Sequence, residues 1–313
     1  MAAEGPKLSI AVMGTGGVGG YFGGRLAEAG ENVSFIARGA HLRAIRDTGL
    51  KIVSPAGDAH IRAKATDRPA DLGPVDVVLF AVKLYDVESA AEAIRPLLGP
   101  KTTVVSLQNG IDAEERMGRI LGADRIMGGV AFIFANIDTP GVIRHNGAFA
   151  RIVFGELDGR ITPRAEAIAA TLARGQFTSK LTDKITWEIW NKFVYLASMA
   201  AVTCLSRSPY GPIMKDPESR RICGDAIGEA ALVAKAQGID LGDDVVERCL
   251  TQTDKLGDHV KTSMLNDLER GGRLEVEHLS GAIVRMGRRH NVATPIHGTA
   301  YAMLRLHAAG RPA

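Results

Sequence analysis

Short apolar runs alternate with longer amphipathic stretches along the first half of the chain, and this rhythm changes once, near the middle. Up to about Gly155 the apolar runs are rich in β-branched residues and fall at 8–13, 32–37, 75–82, 103–107, 125–130 and 151–154. Several are apolar continuously rather than alternately, as in strands buried on both faces of a parallel sheet. Helical periodicity fills the gaps at 19–29, 39–48 and 87–98, so the order is βαβ and the class α/β. Asn109-Gly110, Thr139-Pro140-Gly141 and Asn146-Gly147 mark turns, and 163–176 predicts one more helix of this half. Beyond about Thr182 the β-branched runs stop, and long helical patterns follow with breaks at 209–212, 238–242 and 271–272. The expected organisation is an α/β domain over residues 1–180 and an all-helical domain over residues 181–313, joined near 176–184. No internal repeat is evident.

The sequence Gly14-Thr15-Gly16-Gly17-Val18-Gly19 follows the first strand and opens the first helix. In that setting the glycines permit a tight turn, close approach of a pyrophosphate, and close packing of helix on strand, while the helix N-terminus offers free N–H groups. The first domain therefore reads as a Rossmann-type dinucleotide-binding domain, with a purely structural glycine turn as the alternative. The second strand ends Phe35-Ile36-Ala37-Arg38, with no acid to accept from the ribose of NAD. Arg38 suits a 2′-phosphate, with His41 and Arg43 near enough to assist, so NADP is the expected cofactor; the ordinary alternative is a solvated surface charge. Lys83 and Asn109 close the next two strands on the carboxyl edge, where open parallel sheets bind ligands. Each has an ordinary reading, as a charge at a helix start and as the Asn of an Asn-Gly turn.

In the second half the stretch 193–204 carries no charge, which predicts a helix buried on most sides or used as a dimer interface. Lys192 shares a face with Ile185, Ile189, Leu196 and Met199, so partial desolvation of its ammonium would lower its pKa toward a value suited to proton donation. A plain i,i+4 pair with Glu188 explains it equally well. Glu275 is positioned to start a helix with Leu279, Ile283 and Met286 on its apolar side, where the helix dipole accounts for an acid.

Composition narrows the class of partner. The 313 residues suit about two domains of roughly 150 residues each. Lys plus Arg number 38 against 35 Asp plus Glu, with no run of five like charges, so a nucleic-acid surface is not indicated and the expected partner is a small molecule. Cys204, Cys223 and Cys249 form an odd set without CxxC spacing, which suggests reduced thiols in the cytoplasm. The apolar stretch near the N-terminus is far short of the roughly 18 residues of a membrane span, so neither a membrane anchor nor a signal peptide is expected. Eight scattered histidines show no ligand spacing, and no metal is expected.

In order along the chain, GTGGVGGYFGGRLAEAG, Arg38, VKLYD, LQNGID, PGVIRH, GELDG, WEIWNKF, TSMLNDLERGGRLEVEHLSG and VATPIHGTAYAML resemble the ketopantoate reductase (2-dehydropantoate 2-reductase) family, over nearly the whole length. The resemblance implies NADPH-dependent reduction of a 2-oxo acid to a 2-hydroxy acid, which in the family converts 2-dehydropantoate to pantoate. It makes Lys192 the proton donor, Glu275 its acidic partner near the nicotinamide ribose, and Ser263 a ligand for the substrate carboxylate; Asn109 would contact cofactor and substrate together. The family's asparagines four, eight and eighteen positions after the lysine are here Leu196, Ala200 and Tyr210. Ser198 and Thr203 lie on other helical faces. An apolar substrate tail is therefore expected, with ketopantoate a weak substrate. Other classes are a related reductase or dehydrogenase acting on a less polar 2-oxo acid or ketone, and a non-enzymatic NADP-binding redox sensor. Lys192 together with Glu275 argues against the sensor, which needs no proton donor.

Overall fold

The computed structural model describes residues 7–147 and 149–311. The expectation about a leader or anchor rests partly on residues 1–6, which lie outside them. Contacts divide the chain into two units, Met1–Ile185 and Thr186–Ala313.

The first unit runs β1 (Ser9–Met13), α1 (Gly17–Glu28), β2 (Asn32–Ile36), α2 (Gly39–Thr48), β3 (Leu50–Val53), β4 (Ala59–Ile61), β5 (Lys64–Thr66), β6 (Val75–Phe80), α3 (Val87–Ala93), β7 (Leu98–Ser106), α4 (Ala113–Leu121), β8 (Ile126–Phe132), β9 (Ala135–Thr139), β10 (Val142–His145), β11 (Arg151–Glu156), α5 (Pro163–Leu172) and β12 (Thr178–Leu181). Eight strands form one sheet in the order β12-β11-β8-β7-β6-β1-β2-β5. The six from β5 to β8 are parallel, and β11 enters antiparallel to β8. The chain leaves β1 first toward β2 and later returns to its other side as β6, which makes the carboxyl ends of β1 and β6 the topological switch point. Strand cores such as Val77, Val78, Leu79 and Phe80 are almost wholly buried, which explains their unbroken apolar sequence.

A second, four-stranded sheet in the order β4-β3-β10-β9 was not expected. It covers the outer face of α1, and the sequence of that helix, GVGGYFGGRLAE, is written for two tight interfaces. On one face a Cβ at Gly23 would stand 2.5 Å from Val12, and one at Gly19 would overlap the Gly14 carbonyl. On the other, Cβ atoms at Gly20 and Gly24 would stand 2.8 and 2.6 Å from Ile143 and Ile52, and one at Gly17 would overlap the Ala135 carbonyl. Helical spacing of three and four places these glycines on opposite sides, so both sheets close onto the helix backbone.

All regular elements among the described residues of the second unit are helices: α6 (Ile185–Ser206), α7 (Tyr210–Lys215), α8 (Pro217–Ala236), α9 (Val245–Asp254), α10 (Ser263–Arg270), α11 (Ser280–His290) and α12 (Pro295–Leu304). Met199, Val202, Tyr210, Ile213, Cys223 and Ala226 form a core cluster, so the uncharged run of α6 is interior to the chain. Most of that run is thus core, the first of the two uses its sequence suggested. His297 ties four helices together: its Nε2 lies 3.1 Å from the Ala226 carbonyl of α8 and 3.2 Å from Ser198 Oγ of α6, and its Nδ1 lies 3.2 Å from Ser280 Oγ of α11. Burial lowers its pKa to about 4, so the ring is a neutral strut at physiological pH.

Two sequence expectations shift. The helix expected at 87–98 ends at Ala93, and its remainder becomes a turn into β7, consistent with Pro96 barring an ordinary helical hydrogen bond there. The helix expected to start at Glu275 begins at Ser280, leaving Glu275 in the turn before it. The amphipathic helix α4, with Ala113, Met117 and Leu121 buried at spacings of four, was not predicted.

The two glycine environments make a paired prediction. Gly16 has φ −84° and open space where a methyl group would stand, whereas a methyl group at Gly17 would meet backbone. Overpacking costs about 1 to 3 kcal/mol, equivalent to a Tm fall of about 2 to 12 °C in a protein of this size. Differential scanning calorimetry should show that loss for Gly17→Ala and no loss for Gly16→Ala; equal Tm values for the two variants would contradict the close packing of α1.

Candidate active site

The carboxyl edge of the large sheet gathers the cofactor candidates of the first unit. Gly14 has φ +95°, the left-handed conformation that the sharp exit from β1 requires, and a Cβ there would press on the backbone of Ala81 just beyond β6. Thr15 is fastened to the end of β2 through its N–H and hydroxyl, both donating to the Ile36 carbonyl at 3.2 and 2.9 Å. The hydroxyl proton is thus committed to the scaffold. Gly16, by contrast, faces open space at the N-terminus of α1, where Gly17, Val18 and Gly19 present first-turn N–H groups. A cradle that a side chain would begin to fill, at a positive helix end, fits a pyrophosphate.

Arg38 is exposed at the N-cap of α2, two residues past the end of β2. It is free of any capping hydrogen bond from its side chain to the helix, and its place matches a 2′-phosphate ligand. His41 does not join it as a cation. Its Nδ1 accepts a hydrogen bond of 2.9 Å from the Gly141 N–H, and burial lowers its pKa, so it is a neutral brace between α2 and the β9–β10 turn.

Lys83 and Asn109 are half-buried in the loops that follow β6 and β7. Arg116 of α4, which the sequence reading passed over, clamps these loops. Its guanidinium donates to the Leu84 carbonyl at 2.8 Å, to both Glu88 oxygens at 2.6 and 2.7 Å, and to Asp112 at 3.3 Å. Gly110 completes the contact, since a Cβ there would meet Leu84 at 2.7 Å. The i,i+4 spacing of Asp112 and Arg116 was the available signal.

In the second unit the structure brings together two residues 83 positions apart. Glu275 is 4% exposed, and its carboxylate acts on the ammonium of Lys192. Lys192 retains some solvent-accessible surface, but the protein packed around it desolvates the charge and lowers its pKa to about 8; the Glu275 carboxylate opposes that fall. Between a dipole-stabilised surface acid and a partner for Lys192, the geometry favours the partner, because Glu275 precedes α11 by a full turn.

Ser263 is the exposed first residue of α10, whose N-cap is the Thr262 hydroxyl, 3.2 Å from the Leu265 N–H. Of the positions that hold asparagine in the family pattern, Leu196 is half-buried, while Ala200 and Tyr210 are 1% and 5% exposed. The nearby hydroxyls are spent in the core. Ser198 Oγ donates to the Val194 carbonyl at 2.7 Å, and Thr203 Oγ1 donates to the Met199 carbonyl at 2.7 Å while meeting Thr262 at 2.8 Å. Tyr210 pairs with the Tyr195 phenol. Cys204, Cys223 and Cys249 are free and buried, and burial pushes their thiols up. Among the described residues no helix is long and apolar enough to cross a membrane.

Comparison with known proteins identifies the family. The ketopantoate reductase PanE/ApbA profile matches residues 10–159 and its C-terminal counterpart residues 184–308. The 2-dehydropantoate 2-reductase of Mesorhizobium japonicum is 30% identical, over 95% of this chain and 97% of its own. An uncharacterized oxidoreductase of Bacillus subtilis, YkpB, is also 30% identical, over 96% and 99%. The crystal structure of 2-dehydropantoate 2-reductase from Geobacter metallireducens superposes with a TM-score of 0.90 at 33% identity, covering 96% of this chain and 99% of that one. The chain belongs to the ketopantoate reductase family of oxidoreductases.

Proposed function

We propose that the protein catalyses NADPH-dependent reduction of a 2-oxo acid to a 2-hydroxy acid, with Lys192 as the proton donor. Ketopantoate reductases use NADPH. The observation that carries the assignment of the donor is the desolvated Lys192 ammonium held beside the buried Glu275 carboxylate. When bound, NADPH supplies the hydride to the carbonyl carbon. Lys192 donates a proton to the carbonyl oxygen as negative charge develops there, and the resulting amine recovers a proton from solvent. Glu275 keeps the ammonium charged until that transfer. Gly14, Thr15, Gly16, Gly17, Val18 and Gly19 shape the pyrophosphate cradle, Arg38 takes the 2′-phosphate, and Lys83 and Asn109 hold the cofactor from the next two loops. Asn109 and Ser263 are assigned to the substrate as well. The domains are assigned as residues 1–180 for the cofactor and 181–313 for catalysis and substrate. Free buried thiols fit a reducing compartment, and the cytoplasm is the proposed one.

The second reading concerns the substrate tail. Leu196, Ala200 and Tyr210 stand where the family pattern has amides, and no neighbouring hydroxyl on α6 is available to replace them. Such a site favours a 2-oxo acid with a hydrocarbon tail.

For the chemistry, Lys192→Ala should fold and bind NADPH, while turnover falls by about two to four orders of magnitude. Near-normal turnover would return Lys192 to a structural role. For the tail, kcat/KM for ketopantoate should lie below that for 2-oxo-3,3-dimethylbutanoate, because an unpartnered buried hydroxyl costs about 1 to 3 kcal/mol. A tenfold advantage for ketopantoate would show that its hydroxyl finds a partner.

A further inference from the structure

Four buried side-chain polar atoms among the described residues lack a hydrogen-bond partner: Tyr21 Oη, Arg25 Nε, His41 Nε2 and Gln108 Nε2. Three have a polar neighbour that a small adjustment would engage. Arg25 lies over the Tyr21 ring, with the two side chains within each other's hydrogen-bonding range, and His41 faces the Thr15 backbone. Gln108 Nε2 is the fourth. A buried donor left without an acceptor is costly, and such groups are rare unless something outside the chain satisfies them.

Gln108 is also held in one orientation. It follows β7 by two residues and is 8% exposed. Ser106, wholly buried at the end of that strand, donates its hydroxyl hydrogen to Gln108 Oε1 at 2.6 Å. This bond fixes the amide so that Nε2 points away from Ser106. Behind it, the buried Glu114 of α4 reaches the same hydroxyl, and burial raises the pKa of its carboxyl. The Ser106 hydroxyl serves Gln108 Oε1, and Gln108 Nε2 is left without a hydrogen-bond partner.

The strand order identifies what it awaits. Arg38 follows β2 on one side of β1, the pyrophosphate cradle follows β1, and Gln108 follows β7, two strands away on the other side. Two strand spacings are roughly 10 Å. A dinucleotide anchored by its 2′-phosphate at Arg38 and its pyrophosphate at Gly16 therefore extends its second half along the edge toward Gln108.

We infer that Gln108 is a binding residue for the nicotinamide half of the dinucleotide, donating an amide N–H from Nε2 to one of its acceptor oxygens. The inference rests on the dinucleotide reading above, and the test separates the two. Isothermal titration calorimetry would compare NADPH with adenosine 2′,5′-bisphosphate, which has the 2′-phosphate but no nicotinamide half. In Gln108→Leu the Kd for NADPH should rise about three- to tenfold, the usual worth of one hydrogen bond. Binding of adenosine 2′,5′-bisphosphate should be unchanged. Arg38→Ala should weaken both probes. If Gln108→Leu does not fold, Gln108→Met serves the same comparison. An unchanged Kd for NADPH, or equal weakening of both probes, would overturn the assignment of Gln108; failure of the unmutated protein to bind either probe would overturn the dinucleotide reading itself.

Discussion

The closure of two sheets onto the backbone of α1 is the constraint on which the first unit depends. A helix with ordinary side chains keeps its neighbours about 10 Å from its axis, and here glycine on both faces lets strands approach far closer. The consequence is positional. The same close approach that packs Gly19 and Gly23 on β1 fixes where the N-terminus of α1 points, and Ala135 at the start of β9 fixes it from the other side. The cradle at Gly16 is open because the residues around it are not free to move. Glycine is otherwise a poor helix former, by roughly 1 kcal/mol per residue relative to Ala. Its accumulation in α1 is intelligible only through packing of this kind.

In the proposed reaction the second unit meets an electrostatic problem. A proton donor at neutral pH must be charged yet ready to release its proton, and an ordinary lysine is too strongly protonated for the second condition. Desolvation of Lys192 weakens its hold, and the Glu275 carboxylate stops the weakening short of neutralisation. With a pKa of about 8, roughly nine in ten molecules carry the proton at pH 7. The buried lattice around His297 supports this balance, since it joins α6, which carries Lys192, to the first turn of α11, which Glu275 precedes by five residues.

Much of this was legible in the sequence, and the exceptions have physical causes. The parallel strands announced themselves through continuous apolar runs, and the glycine motif through its place between strand and helix. The small sheet did not, because its strands are three to five residues long and carry polar residues such as Lys51, His60, Asn136 and Asp138. The glycines at positions 17, 20 and 24 were its only trace, and their meaning depends on knowing what lies against them. At the site, the face of Lys192 could be read from helical spacing, but its pairing with Glu275 is a tertiary contact that spacing cannot supply. The roles of Arg116 and Gln108 were hidden for the same reason: an arginine beside an acid, and a glutamine before Asn-Gly, look ordinary until their bonds are traced.

The pH dependence of the hydride-transfer step, followed as NADPH absorbance in a single turnover with an accepted 2-oxo acid, tests the central claim most directly. Because burial destabilises the charged form, the donor should be lost at a lower pH than an ordinary lysine would lose it. The rate should be level below about pH 7, reach half its plateau near pH 8, and fall about tenfold per unit above that. In Lys192→Ala that descent should vanish from a rate already much reduced. A plateau extending unbroken to pH 10 in the unmutated protein, or an identical descent in Lys192→Ala, would contradict the assignment of Lys192 as the proton donor.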